Sequence, residues 1–332
     1  MKHSNISIFI PHTGCPHKCS FCDQHTISGA KKSPSADEVR QICEKAFNEI
    51  KSPENTEIAF FGGSFTAIPR DYMISLLEAA HEFVGENKFK GIRISTRPDY
   101  ITPEILDILK KYGVTAIELG AQSMNDEVLA ANERGHTAQD VINASELIKK
   151  YGFELGLQVM MGLYKSDPDI DYKTVKKLVE LRPKTLRIYP VVILRNTKLA
   201  ELYEKGEYKL LPFDIMVEEC GRILDELLFS GIKVIKCGLH ASEFVKKDMI
   251  GGYYHPAFRE LCENFIYLET IQYALNLSQI TSGDATIVVN DKCISKAIGQ
   301  KKSNINYFKE QGINIKIVGS PNMPVYDADA KR

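Results

Sequence analysis

The run Ile6-Ser7-Ile8-Phe9-Ile10 leads within a few residues into Gly14-Cys15-Pro16-His17-Lys18-Cys19-Ser20-Phe21-Cys22. A β-rich pentad running straight into a polar loop crowded with thiols is what the end of a strand in a parallel sheet looks like, because ligands gather at the carboxyl ends of such strands. The chain keeps one rhythm from here to about residue 190. Short apolar runs alternate with longer segments of helical period. The expected strands are Ile6–Ile10, Glu57–Phe61, Gly91–Ser95, Thr115–Leu119, Glu154–Met160 and Thr185–Tyr189. The expected helices between them are Ser35–Ile50, Arg70–Val84, Pro103–Tyr112, Thr137–Tyr151 and Asp171–Leu181. Ser35 with Glu38 three residues on has the capping-box spacing, and Thr102 precedes a proline at the first helical position.

Six such units predict an α/β fold with a parallel sheet and helices outside. They are too few for the closed eight-fold barrel. A partial (β/α)6 barrel with an open side is therefore expected, with its site at the carboxyl ends of the strands.

Length and charge narrow the classes. A chain of 332 residues accommodates one large domain and a small appendage. A net charge of -1 excludes a global basic field, so any nucleic-acid site must be a local patch. No apolar run is long enough for a bilayer, and Ile6–Ile10 is too short for a signal peptide. A cytoplasmic protein with no membrane partner is expected. In that compartment five scattered cysteines, Cys43, Cys220, Cys237, Cys262 and Cys293, read as small buried hydrophobes.

After residue 190 the rhythm changes, with long helices expected at Pro212–Phe229 and Pro256–Leu275. The expected organisation is a barrel over 1–230, a connecting helical segment over 231–280, a compact α/β tail over 281–320 and a disordered end over 321–332. The tail reads β–α–α–β: Ala285–Val289, Lys292–Ala297, Ser303–Gln311 and Ile313–Val318. The turn Ile298-Gly299-Gln300-Lys301-Lys302-Ser303 resembles the loop of KH RNA-binding domains, where G-x-x-G clamps nucleic-acid backbone. Gly299 matches the first glycine and Lys302 replaces the second, which makes Gly299, Lys301 and Lys302 candidate RNA contacts; the plainer alternative is an exposed basic turn on a small cap. His255 reads as a cap on the following helix, and no motif assigns a role to Cys237 or His240.

Three thiolates this close in sequence can share one metal centre. Iron–sulfur clusters usually take four cysteines, so three leave an open position of the kind catalytic metal sites keep. Zinc is the competing reading, with His12, His17 or His25 as a fourth ligand. The spacing alone leaves both open.

The C-x-x-x-C-x-x-C pattern with Phe21 before its last cysteine, together with Phe60-Phe61-Gly62-Gly63-Ser64-Phe65-Thr66 after the second strand, resembles the radical S-adenosylmethionine (SAM) superfamily. That resemblance implies a [4Fe–4S] cluster on Cys15, Cys19 and Cys22, with SAM on its open iron. It places Phe21 near the adenine and the Gly62–Gly63 backbone against the methionine amino group. It also implies an electron donor such as flavodoxin or ferredoxin, and a 5′-deoxyadenosyl radical that takes hydrogen from substrate.

Further blocks are similar to the radical domain of the Elongator catalytic subunit, which modifies tRNA wobble uridine. They are Ser95-Thr96-Arg97-Pro98-Asp99, Glu118-Leu119-Gly120-Ala121-Gln122-Ser123, Arg134-Gly135-His136-Thr137 and Leu186-Arg187-Ile188-Tyr189-Pro190. This resemblance implies tRNA as partner. Oxygen-independent coproporphyrinogen oxidases share the general layout, so a tetrapyrrole or small metabolite is the alternative substrate; a non-catalytic zinc or RNA-binding protein is the third reading. Arg97 can fork onto the SAM carboxylate or a substrate phosphate. Glu118 and Gln122 can bind ribose hydroxyls or amino groups, and Gln158 faces the same choice; the plain alternative for each is bracing a strand end. The cysteine loop is shorter than the Elongator type and no segment resembles an acetyltransferase, so the radical chemistry carries over and acetyl transfer does not.

Overall fold

The computed structural model describes residues 4–11, 15, 18–29 and 32–332, apart from the side chains of residues 24 and 25. The zinc candidates His12 and His17 thus lie outside the described residues, as does the side chain of His25. The strands are β1 Ser4–Ile10, β2 Thr56–Gly62, β3 Gly91–Thr96, β4 Val114–Gln122, β5 Glu154–Met161, β6 Thr185–Pro190, β7 Val192–Leu194, β8 Lys233–Cys237, β9 Met249–Gly252, β10 Gly283–Asn290, β11 Ile313–Ser320 and β12 Ala328–Lys331. Two compact units result, one of Met1–Leu210, Gly231–Lys236 and His240–Tyr254, the other of Leu211–Ser230, Cys237–Leu239 and His255–Arg332.

The first unit is built on a seven-stranded sheet in the order β1-β2-β3-β4-β5-β6-β8. Strands β1 to β6 pair in parallel, each with the next in sequence. The row ends at β1 and β8 without closing, so the barrel is partial. The seventh strand corrects the expected count of six and comes from residues assigned above to a connecting helical segment. Conversely, helix Phe213–Leu227 was expected inside a 1–230 barrel domain and belongs to the second unit. The crossover helices start where side-chain oxygens satisfy free backbone N–H groups. Ser35 and Glu38 form a reciprocal capping box, Thr137 and Asp140 form another, and Thr102 and Asp167 cap two further helices.

Strand parity divides the sheet into two chemically different faces. Ile58, Phe60, Ile92, Ile94, Ile117, Leu119, Leu157, Val159, Leu186 and Ile188 are buried and apolar. The residues between them carry charge: Arg93 Nε donates to Glu57 at 2.8 Å, its Nη2 to Glu154 at 2.7 Å and its Nη1 to Glu118 at 3.4 Å. Arg187 forks onto the same Glu118 through Nε at 2.6 Å and Nη2 at 2.9 Å. Gly156 makes room for this network, since a Cβ there would stand 2.8 Å from Thr185 Oγ1 and 2.9 Å from Glu118 Cγ. Buried charges survive only when paired and hydrogen-bonded, and here every carboxylate shares an arginine.

In the second unit helices Phe213–Leu227 and Phe258–Leu277 pack together, helped by Gly221, whose absent Cβ would meet Phe265 at 2.7 Å. The tail sheet has the order β11-β10-β12, with β11 parallel and β12 antiparallel to β10. Helices Ile294–Ile298 and Ser303–Glu310 cover it, and Ile287, Val289, Phe308 and Ile315 join Tyr267, Ile271 and Leu275 of the long helix in one core. The expectation of a disordered 321–332 end is corrected: Ala328–Lys331 pairs with Thr286–Val289. Backbone hydrogen bonds hold this strand, which buries only Ala328 and so carries little hydrophobic signal. Among the described residues no helix is long and apolar enough to cross a membrane.

Candidate active site

The loop after β1 and the carboxyl ends of β2 to β5 enclose an open cleft. Cys15, Cys19, Cys22, Phe21, Gly62, Gly63, Arg97, Gln122 and Gln158 all line it. Residues chosen from separate stretches of sequence are thus brought together, with one exception. Glu118 sits one pleat deeper, 1% exposed, with its carboxylate given to Arg187, Arg93 and the Nε2 of Gln158 at 3.1 Å. It braces the barrel interior through these partners and does not line the cleft, unlike the other residues expected against the cofactor. Gln158 is fixed from below, its Nε2 also donating to Ser95 Oγ at 3.1 Å.

The glycine turn is tied to the strand that feeds the cysteine loop. Gly62 has φ +113° and a Cβ there would lie 2.8 Å from the Ile10 carbonyl oxygen, so only glycine fits. Gly63 N–H donates to the same oxygen at 2.7 Å. Ser64 Oγ shares a hydrogen bond of 2.9 Å with Thr96 Oγ1 and accepts from Arg97 N–H at 3.2 Å, joining the ends of β2 and β3. Burial pushes the Cys15 thiol up and a hydrogen bond from the Ser64 backbone opposes this; Cys19 adds repulsion, and Arg134 and Arg97 work against it.

Arg97 does not present a free fork. Its Nε and Nη2 each reach Asp99 at 2.9 Å, so only its outer edge is available in the cleft. Gln122 holds a left-handed backbone at φ +64° and its buried Oε1 has no partner among the described residues. Backbone strain together with an unspent acceptor is what a ligand-facing position shows.

Three residues of one short segment complete the site, and sequence reasoning gave none of them a role. Asn132 is fully buried; its Oδ1 accepts from Ser20 Oγ at 2.8 Å and its Nδ2 donates to Val128 O at 2.8 Å and Tyr164 O at 2.9 Å. Arg134 donates through Nη1 to Cys19 Sγ at 3.0 Å and through Nη2 to Gly120 O at 2.7 Å, and its guanidinium carbon is 5.9 Å from the Phe21 ring centroid. His136 Nε2 meets Ala121 O at 3.2 Å, and burial, reinforced by the charge of Arg134, pushes its pKa down to about 4. The Arg134-Gly135-His136-Thr137 block entered above through resemblance only, without a role for any residue.

The donor set suits an iron–sulfur cluster with a small polar ligand. Three thiols share the cleft with a glycine turn built for close backbone approach. Gln122 Oε1, Arg134 Nε and His136 Nδ1 are buried without partners among the described residues. Outside the cleft, His255 Nδ1 accepts from Ala257 N–H at 3.1 Å in the turn before helix Phe258–Leu277, whose N-cap Ala257 receives no side-chain cap, so the expected cap role is corrected. The plainer reading applies to Cys43, Cys220, Cys237, Cys262 and Cys293, which are buried.

Comparison with known proteins agrees with this geometry. Residues 9–181 match the Radical SAM superfamily model and residues 183–267 the Radical_SAM C-terminal domain. The chain is 32% identical over 235 residues to the tRNA uridine(34) acetyltransferase of Methanocaldococcus jannaschii, covering 59% of this chain and 43% of that one. It is 32% identical over 193 residues to Elongator complex protein 3 of Saccharomyces cerevisiae, covering 52% and 35%. It therefore spans less than half the length of these two relatives. Among solved structures, the archaeal Methanocaldococcus infernus Elp3 with an N-terminal deletion aligns with a TM-score of 0.55 at 20% identity, covering 74% of this chain and 61% of that one. That likeness supports the fold. With more than half its length matched by the superfamily model, the chain belongs to the radical SAM superfamily of enzymes, whose cofactors are a [4Fe–4S] cluster and S-adenosylmethionine.

Proposed function

We propose that this enzyme works in the cytoplasm on RNA, with tRNA as its substrate. The observation that carries this reading is the 32% identity, over 59% of this chain, to a protein named for tRNA uridine(34) chemistry. Cys15, Cys19 and Cys22 would hold the cluster. When bound, the cluster and SAM would supply one-electron radical chemistry for hydrogen abstraction from the substrate, given an electron from a donor of the flavodoxin or ferredoxin class. This chain's own residues shape the space for that event. Gly62 and Gly63 leave the backbone open to close approach. Phe21 and Arg134 form one wall, Gln122 offers a fixed acceptor, and Gln158 closes the floor.

The tail of the second unit, residues 281–332, is the RNA-binding part of the proposal. Its loop places Gly299 at φ +80°, where a Cβ would fall 2.2 Å from Ser303 Oγ. Lys301 and Lys302 follow in left-handed conformations at φ +54° and +63°, with both side chains exposed. Two adjacent ammonium groups on a tight turn suit phosphate backbone. The test is anaerobic reconstitution followed by reductant and SAM, with 5′-deoxyadenosine measured with and without bulk tRNA. Substrate-dependent nucleoside, with tRNA binding weakened by Lys301→Glu with Lys302→Glu, is the expected result. Turnover that ignores tRNA but responds to a tetrapyrrole or small metabolite would replace RNA as the substrate class.

A further inference from the structure

We propose that Arg134 sets the reduction potential of the cluster through its hydrogen bond to Cys19. This rests on the reading that Cys15, Cys19 and Cys22 hold that cluster. The other arginines around the cleft and barrel interior are neutralised locally: Arg97 by Asp99, Arg187 by Glu118, and Arg93 by Glu57, Glu118 and Glu154. Arg134 differs. It is 6% exposed, and among the described residues its hydrogen bonds go to a thiol and a backbone carbonyl, with no carboxylate paired to it. Its Nη1 points at Cys19 Sγ at 3.0 Å.

The aim is fixed from two sides. The Nη2 atom is held by Gly120 O at 2.7 Å, and a Cβ on Gly120 would crowd it at 3.3 Å. The Phe21 ring lies on another side, its centroid 5.9 Å from the guanidinium carbon. A guanidinium does not lose its proton in a protein, so the charge persists at every working pH. A buried positive charge that donates to a ligating sulfur favours the state carrying one more electron, and hydrogen bonds to cluster sulfurs are among the levers that set such potentials. Arg134 is thus a positioning and tuning residue that eases the first electron transfer from the external donor.

The experiment compares wild type, Arg134→Gln and Arg134→Lys, reconstituted anaerobically with iron and sulfide. Loading is checked by iron and sulfide content. The potential is then read by electron paramagnetic resonance during a mediated titration without SAM. In Arg134→Gln the reduced-to-oxidised ratio at a given poise should fall about tenfold, equivalent to about 59 mV more negative for one electron. Arg134→Lys, which keeps the charge but cannot bridge Gly120 O and Sγ together, should fall between. A wild-type potential in Arg134→Gln overturns the inference, as it would for a guanidinium that serves only to bind the cofactor's carboxylate. If Arg134→Gln does not load, Arg134→Lys decides: a lowered potential supports the inference and a wild-type potential overturns it. A wild-type protein that takes up no iron and sulfide sinks the assignment of the three cysteines instead.

Discussion

Ser20, set between two of the cleft cysteines, is bonded twice to Asn132: its N–H donates to the Asn132 carbonyl at 3.1 Å and its Oγ to Asn132 Oδ1 at 2.8 Å. The Ser20 carbonyl in turn accepts Leu199 N–H at 2.8 Å. The loop that carries the thiols is therefore clamped through Ser20, a residue between two cysteines whose own side chain is not an expected metal ligand.

Asn132→Ala removes three side-chain hydrogen bonds from a fully buried amide. At roughly 1 kcal/mol each the fold should lose about 3 kcal/mol, measured by anaerobic urea denaturation. The loss should reach the site as well, with less iron and sulfide retained per chain than in wild type under equal reconstitution. Equal retention would mean that Asn132 braces the barrel and not the cysteine loop.

His136 predicts a pH dependence of known sign. Burial, with the charge of Arg134, lowers its folded pKa to about 4 from an ordinary 6.5. Between these values the unfolded chain binds more protons, so stability rises with pH there. The contribution is complete above about 6.5, is reduced by about 2 kcal/mol at pH 5, and is lost as pH falls through about 4. Denaturation of the cluster-free protein at pH 7 and pH 5 should show this difference, and His136→Gln should shrink it to the background of the other groups.

The interior ion network makes a stability prediction. Arg93 is fully buried and serves Glu57, Glu118 and Glu154. Arg93→Met leaves carboxylates buried beside a thioether and should cost about 3–5 kcal/mol, the toll of breaking a buried pair from one side. Replacing Glu57 as well, with Gln, should recover part of the loss. A single variant as stable as wild type would show that water reaches these carboxylates.

What could be read from the sequence follows from which signals are local. The strand-helix alternation and the Ser35–Glu38 capping box are each contained in a short window, and each led to the right element. Glu118 shows where parity stops helping. Alternation puts it on the inner face with Gly120, but depth along the barrel depends on register against β3 and β5, which one strand does not encode. Asn132 and Arg134 lie in a polar turn without periodicity, and their partners Ser20 and Cys19 are more than a hundred residues away in sequence. The β8 strand is a five-residue stretch with lysine at two positions, too short and polar to stand out beside the helices around it.

Lys302 supplies the last prediction, because two physical effects at that residue pull apart. Its φ of +63° is a left-handed conformation that a side chain disfavours, and Lys301 before it is at +54°. Lys302→Gly relieves the strain at one of these positions, less the extra freedom glycine gives the unfolded chain, for a net gain of about 0.5–1 kcal/mol. It also restores the second glycine of the G-x-x-G pattern and removes one positive charge. If the lysine holds RNA by charge, binding to tRNA should weaken across sequences and the slope of log affinity against log salt should fall by about one. If close backbone approach matters more, the same variant should bind tRNA more tightly at every salt concentration. A thermal shift together with a salt series on this one variant therefore measures the backbone strain and separates the two ways a basic turn can hold a phosphate chain.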